Sequence, residues 1–194
     1  MTTSKNLWKC PAGKSALKTP MKTFKNIYDK DTPENGAKPS SEYTLRPTVK
    51  AIVVDNENNI ALLKARGHYL LPGGGIETGE SAIDALRREL IEEIGCNVDN
   101  IKELGISSQF RNKNMTHYEV VFFSANVVGK KGTPTTTQED ELQDVELFWF
   151  DKEKVFTLLK SQIRVQDKNE YSFYFNSRSH FEAFEEYCLK LPEV

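Results

Sequence analysis

Glu89, Glu92 and Glu93 stand three and four residues apart in RRELIEEIG, residues 87–95. On a helix that spacing stacks three carboxylates on one side. Like charges so placed repel by about 0.2–0.5 kcal/mol per pair. All three also lie in the second half of the expected helix, where the macrodipole disfavours anions. Arg87 and Arg88 offset part of this. A hard divalent cation would offset more, because Mg²⁺ or Mn²⁺ takes oxygen ligands, keeps several waters and bridges to substrate phosphates. The plainer alternative is a solvated acidic face paired with the arginines.

The residues just before the helix bear on that choice. Gly73, Gly74, Gly75 and Gly79 form a loop leading into the helix N-terminus. Bare amides and the positive end of a helix suit phosphate. A tight turn that only needs positive φ would use the same glycines. Taken together, a glycine loop and a carboxylate face one helix apart read as a phosphate–metal site.

The elements that must position these residues follow from pattern. TVKAIVVD (48–55) and IALLKA (60–65) flank the turn DNENN and predict a β-hairpin. Ser81, with Asp84 three residues on, predicts a helix start, and Gly95 its end. Ile83, Leu86, Leu90 and Ile94 then fall on the core face, with the glutamates about 100° away at its edge. MTHYEVVFFSANVVG (115–129) and VELFWF (145–150) predict strands, and 130–144 an acidic loop. Asp151 predicts the cap of a short helix. YSFYF (171–175) predicts a strand, and Ser179 with Glu182 the start of a last helix bearing Phe181, Phe184 and Cys188 on one face. Residues 1–42 are lysine-rich and aperiodic, and predict an irregular basic arm that packs one or two of Trp8, Phe24 and Tyr28. The globular domain would be 43–194.

Composition narrows the class. A net charge of −2 in 194 residues argues against DNA as a partner and makes RNA an unfavoured one. No apolar run reaches the roughly 18 residues of a membrane span, and no apolar stretch follows the N-terminal lysines as a secretory signal requires. Cys10, Cys96 and Cys188 are scattered, which fits a reducing cytoplasm. AGKS (12–15) mimics the end of a phosphate-binding loop, but Trp8 stands where its first glycine is needed.

These residues resemble the Nudix box, G-x5-E-x7-R-E-U-x-E-E-x-G-U with U a bulky aliphatic residue. Gly74, Glu80, Arg88, Glu89, Leu90, Glu92, Glu93 and Gly95 stand at those spacings, and Cys96 is the one departure. The seven fixed positions would match by chance on the order of once in 10⁸ starting points. The order of elements from about residue 44 to 190 also resembles that family's fold, an α/β/α sandwich of α+β type with a mixed sheet.

The resemblance implies a hydrolase of nucleoside diphosphates linked to another moiety, dependent on Mg²⁺ or Mn²⁺. It implies Glu89, Glu92 and Glu93 as metal ligands with the Gly73 carbonyl. Arg88 and Glu80 would brace loop against helix, and Gly74 and Gly75 would meet phosphate. A further carboxylate would come from QEDELQD, with Glu141 favoured over Glu139 and Asp140. Either Glu89 or that loop carboxylate would be the general base. Arg66, Arg111, Tyr69 and Phe122 lie in segments near the expected cleft and are candidates for substrate contact. Subfamily signatures after the box are absent, so the substrate stays open between an NDP-X compound and a (d)NTP, oxidised forms such as 8-oxo-dGTP included. An RNA 5′-end pyrophosphohydrolase and a non-catalytic nucleotide sensor are the alternatives. Members of the family are frequently dimeric, so a homodimer is an expectation too.

Overall fold

The sheet is built by strands whose two faces are both buried. In the strand β2 (Thr44–Val54), Val49, Ala51 and Val53 belong to one apolar cluster, while Ile52 and Val54 belong to another. The same alternation divides Ala61 and Leu63 from Ile60 and Leu62 in β3 (Ile60–Ala65). A period of two with both phases apolar is what a sheet covered on both faces demands. The computed structural model describes residues 22–24, 26–28, 43–135, 145–163 and 171–191.

Within those residues a short β1 (Ile27–Tyr28), β2, β3 and β4 (His68–Leu70) precede the helix α1 (Ala82–Ile94). The strands β5 (Asn97–Arg111), β6 (Thr116–Val128) and β7 (Glu146–Phe150) follow, then helices α2 (Lys152–Gln162) and α3 (Tyr171–Lys190). The sheet order is β1-β5-β6-β2-β3-β4, with β7 also paired to β3. β2 runs parallel to β6, while β3 and β5 run antiparallel to their neighbours β2 and β6. Leu86, Leu90 and Ile94 of α1 pack on one face of the sheet. Val155 and Leu159 of α2, with Phe181 and Phe184 of α3, pack on the other. This is the expected α/β/α sandwich with a mixed sheet. No helix among the described residues is long and apolar enough to cross a membrane.

The caps of α1 and α2 are those the sequence predicts. Ser81 Oγ accepts from the Asp84 N–H at 3.2 Å, and Asp151 accepts from the Lys154 N–H at 2.7 Å. The Gly95 N–H closes α1 on the Ile91 carbonyl.

Two expectations change. YSFYF is the first turn and a half of α3, not a strand. Phe173 packs toward the α1 side of the sheet and Phe175 is fully buried, so the helix starts enclosed on more than one side and its apolar residues mimic a period of two. Ser179 is therefore inside α3 rather than at its cap; its hydroxyl bonds back to the Phe175 carbonyl at 3.2 Å. Residues 97–111, which carry little hydropathy signal, form the longest strand described. In the N-terminal region, Thr23 bridges to Ile106, β1 pairs in parallel with β5, and Phe24 and Ile27 are buried. Trp8 lies outside the described residues.

Candidate functional site

The loop 72–76 is stitched to β2 like an extra strand. Ala51 N–H donates to the Pro72 carbonyl and Val49 N–H to the Gly74 carbonyl, both at 2.9 Å, and Ile76 N–H reaches the Pro47 carbonyl at 3.1 Å. So close an approach needs bare backbone. Gly73 has φ +123°, and a Cβ there would stand 2.3 Å from the Val49 carbonyl oxygen. A Cβ on Gly74 would stand 2.4 Å from each carboxylate oxygen of Glu89. The loop thus lies pressed between the sheet and the acidic stripe of α1.

Arg88 ties these parts together. Its Nε and Nη2 fork onto Glu80 at 3.0 and 3.1 Å, and Nη2 also donates to the Gly75 carbonyl at 3.0 Å. Its Nη1 donates to Glu89 Oε1 at 2.7 Å and Glu92 Oε2 at 3.2 Å. The guanidinium holds Glu80 below the usual carboxylate range. Arg88 and Glu80 are thus ion-paired between the loop and the helix. Glu93 Oε2 accepts the Gly73 N–H at 2.5 Å, and Lys50 Nζ donates to the Gly73 carbonyl.

The carboxylates differ in exposure. The Glu89 side chain is 14% exposed and that of Glu92 is 44%. Burial raises the Glu89 carboxyl above its ordinary value, against the pull of Arg88 and Lys50. Among the described residues no three His, Cys, Asp or Glu side chains converge into a metal centre as they stand. Arg88 draws Glu89 and Glu92 together while the Gly73 amide holds Glu93. The donor set is nonetheless that of a hard cation: carboxylate and carbonyl oxygens, with a guanidinium and an ammonium lying on them.

Thr135 N–H donates to the Glu92 carbonyl at 2.9 Å and Gly132 N–H to the Gly95 carbonyl at 2.9 Å. The chain therefore crosses the end of α1 just before the acidic segment. Glu139, Asp140 and Glu141 lie outside the described residues.

On the other side of the loop, Gly74 and Gly75 wall a cavity of ≈ 160 Å³. Arg46, Thr48 and Lys50 of β2, Gln109 and Arg111 of β5, Tyr118 and Val120 of β6, and Asn176 and His180 of α3 complete it. Arg111 is 6% exposed, and burial pushes its guanidinium down to about 10. His180 Nδ1 accepts the Leu71 N–H at 3.1 Å. Burial, with Lys50 and Arg111 nearby, holds that imidazole well below its ordinary value and hence neutral.

The structure brings Arg111, Gly74 and Gly75 to this cavity. Arg66 is exposed in the β3–β4 turn and does not line it. Phe122 is fully buried core, and Tyr69 packs against Phe148 and Phe150. Lys50, Gln109, Asn176 and His180 line this cavity and were not singled out by sequence reasoning. One signal was readable for β5: Ser107, Gln109 and Arg111 alternate with period two, and all three are buried. A larger cavity of ≈ 520 Å³, between residues 22–24 and the end of α3, shares no residue with this site.

The NUDIX domain family model matches residues 44–174. The chain is similar to an RNA pyrophosphohydrolase of Ruthia magnifica subsp. Calyptogena magnifica, 38% identical over 72 residues, which are 36% of this chain and 40% of that protein. It is also similar to an ADP-ribose pyrophosphatase of Methanocaldococcus jannaschii, 30% identical over 113 residues, 53% of this chain and 66% of that protein. Both matches span less than two thirds of the relative's length. Among solved structures, a NUDIX hydrolase from Nitrosomonas europaea aligns with a TM-score of 0.50 and 22% identity, over 71% of this chain and 90% of that one. At that identity the likeness concerns the fold.

Proposed function

This chain belongs to the NUDIX domain family, and from that premise we propose that it is a Mg²⁺-dependent pyrophosphohydrolase, cleaving a nucleoside diphosphate-linked compound or a (d)NTP to a nucleotide and a phosphate-bearing product. The observation that carries this reading is the junction of loop and helix. Glu89 lies against Gly74, Glu93 holds the Gly73 amide, and Arg88 spans Glu80, Glu89, Glu92 and the Gly75 carbonyl.

Glu89, Glu92, Glu93 and the Gly73 carbonyl would hold the cation. When bound, it neutralises phosphate oxygens and acidifies water. The chain's own part is placement. Arg88 fixes the glutamates against the loop, and Gly74 and Gly75 leave backbone bare beside the phosphates. Glu89 is enclosed enough to accept a proton from water without competing solvent; Glu141 is the alternative acceptor. The free thiols of Cys96 and Cys188 support a reducing, cytoplasmic setting.

A second reading is hydrolysis at the 5′-triphosphate end of RNA. Composition makes RNA an unfavoured partner, but the similarity to a relative named RNA pyrophosphohydrolase and the cations around the cavity favour it.

The test is a Mg²⁺-supplemented panel of (d)NTPs, 8-oxo-dGTP, ADP-ribose, nucleotide sugars and 5′-triphosphorylated RNA, reading the nucleotide and the pyrophosphate or phosphomonoester products by anion-exchange chromatography. Glu92→Gln should lower turnover by about 10²–10⁴-fold while the circular dichroism spectrum is unchanged. Turnover in that variant equal to wild type on every substrate would sink the reading. Glu89→Gln against Glu141→Gln then separates the two proton acceptors.

A further inference from the structure

The cavity beside the glycine loop carries Arg46, Lys50 and Arg111 in its wall and, among the described residues, no carboxylate. That is a local excess of three cations in a chain whose net charge is −2. Arg111 is the telling one. Its Nε and Nη2 donate to the Gln109 amide oxygen at 3.2 and 2.5 Å, and Nη2 also to the Asn176 amide oxygen at 2.8 Å. Its guanidinium carbon lies 4.0 Å from the centre of the Tyr118 ring. None of these partners is an anion, and Nη1 makes none of these bonds. A guanidinium taken so far out of water without a counter-charge is costly. Amides and a ring fix its direction without spending its charge, as a site built for an incoming anion requires.

We propose that this cavity binds a phosphoryl group of the substrate that is not part of the bond being broken. The inference rests on the hydrolase reading above and adds a requirement on the substrate: it must carry phosphate at a second place. The shared wall of Gly74 and Gly75, with Lys50 reaching the Gly73 carbonyl, makes the cavity continuous with the loop at the proposed reaction centre. A nucleobase fits less well. Both functional atoms of the Gln109 amide are engaged, Oε1 by Arg111 and Nε2 by the Ser179 hydroxyl at 2.9 Å, and the Asn176 oxygen is engaged too. Few groups remain to read a base edge, and a volume of ≈ 160 Å³ is small for a nucleoside. The phosphoryl group has two chemical sources: the end of a polyphosphate chain, or a phosphate on the moiety beyond the anhydride.

The first experiment is titration of the full chain with inorganic pyrophosphate in metal-free buffer, by calorimetry. The expected result is saturable binding that weakens about tenfold in Arg46→Gln and further in Arg111→Gln. Arg46 is exposed, so its variant decides even where Arg111→Gln does not fold. No saturable binding up to about 10 mM would overturn the proposal, and so would equal binding in wild type and Arg46→Gln. No metal and no turnover enter this titration, so an inactive chain that binds pyrophosphate sinks only the hydrolase reading, and an active chain that does not bind it sinks only the pocket. The second arm compares KM in wild type and Arg46→Gln with Mg²⁺. A rise confined to triphosphates assigns the end of a polyphosphate chain, and a rise confined to substrates with a phosphorylated second moiety assigns that phosphate. An equal rise for substrates lacking any extra phosphate overturns the proposal.

Discussion

On the α1 side of the glycine loop three carboxylates share one guanidinium, that of Arg88. On the opposite side three cations line a cavity that has no carboxylate among the described residues, and the most buried of them, Arg111, rests on neutral amides. The acidic side is braced by that one guanidinium and keeps a net negative charge. The basic side leaves charge unspent and so is receptive. A loop thin enough to lie between them, because it lacks Cβ atoms at Gly73 and Gly74, puts the two within one substrate's reach.

The sharpest way to break this comparison is to thicken the loop. Gly74→Ala would place a Cβ 2.4 Å from both Glu89 oxygens. The carboxylate is the end of a flexible side chain, so it moves aside at small cost in stability. A misplaced reacting group costs about 10²-fold in turnover. The expected signature is therefore a large loss of kcat with a nearly unchanged urea midpoint. Full turnover in Gly74→Ala would mean that the position of Glu89 does not matter. Gly73→Ala is the control, because its Cβ meets the Val49 backbone and its φ of +123° suits no other residue; that variant should lose stability as well.

Arg88→Lys sharpens the acidic half. A lysine has one compact charge and cannot fork onto Glu80 while reaching Glu89, Glu92 and the Gly75 carbonyl. The expected loss is about 2 kcal/mol of stability, read as a lower urea midpoint at constant slope. An unchanged midpoint would show that the brace contributes nothing net.

The two halves were unequally legible in the sequence, for a physical reason. Every group on the acidic side comes from residues 73–95, so the spacing along one loop and one helix places them. The basic side is gathered from β2, β5, β6 and α3, and adjacency in sequence says nothing about it. Its strand β5 turns Ser107, Gln109 and Arg111 inward, so a search for alternating apolar residues finds no strand there. Its helix α3 begins with aromatics buried on several sides and reads as a strand. Arg111 was recognisable as a cation near the cleft; that Gln109 and Asn176 would aim it was not. Arg66, equally charged, ends up exposed in a turn because nothing in its own segment records which face it takes.

His180 tests whether the basic side is electrostatically as described. Its imidazole is 2% exposed, accepts the Leu71 N–H, and is kept neutral by burial and then by Lys50 and Arg111. Its folded value lies well below 6.5, whereas in the unfolded chain it titrates near 6.5. Below about pH 6.5 the unfolded state therefore binds a proton that the native state does not. Stability should be constant with respect to this group above that pH and fall as pH drops below it, by at most about 1.4 kcal/mol per pH unit. Carboxylates paired in the fold, such as Glu80, add their own loss only nearer pH 4.5. Urea denaturation at pH 7.5, 6.5 and 5.5 covers the His180 window, in which Glu89, raised by burial, acts in the opposite direction. His117, which burial also lowers, contributes in the same direction as His180, so the variant comparison is the decisive one. His180→Gln offers an amide oxygen to the Leu71 N–H and has no proton to gain, so its stability should fall less steeply from pH 6.5 to 5.5 than that of wild type. Equal slopes in the two proteins would mean that His180 charges freely in the fold, and that the cations around the cavity exert far less field on it than their placement implies.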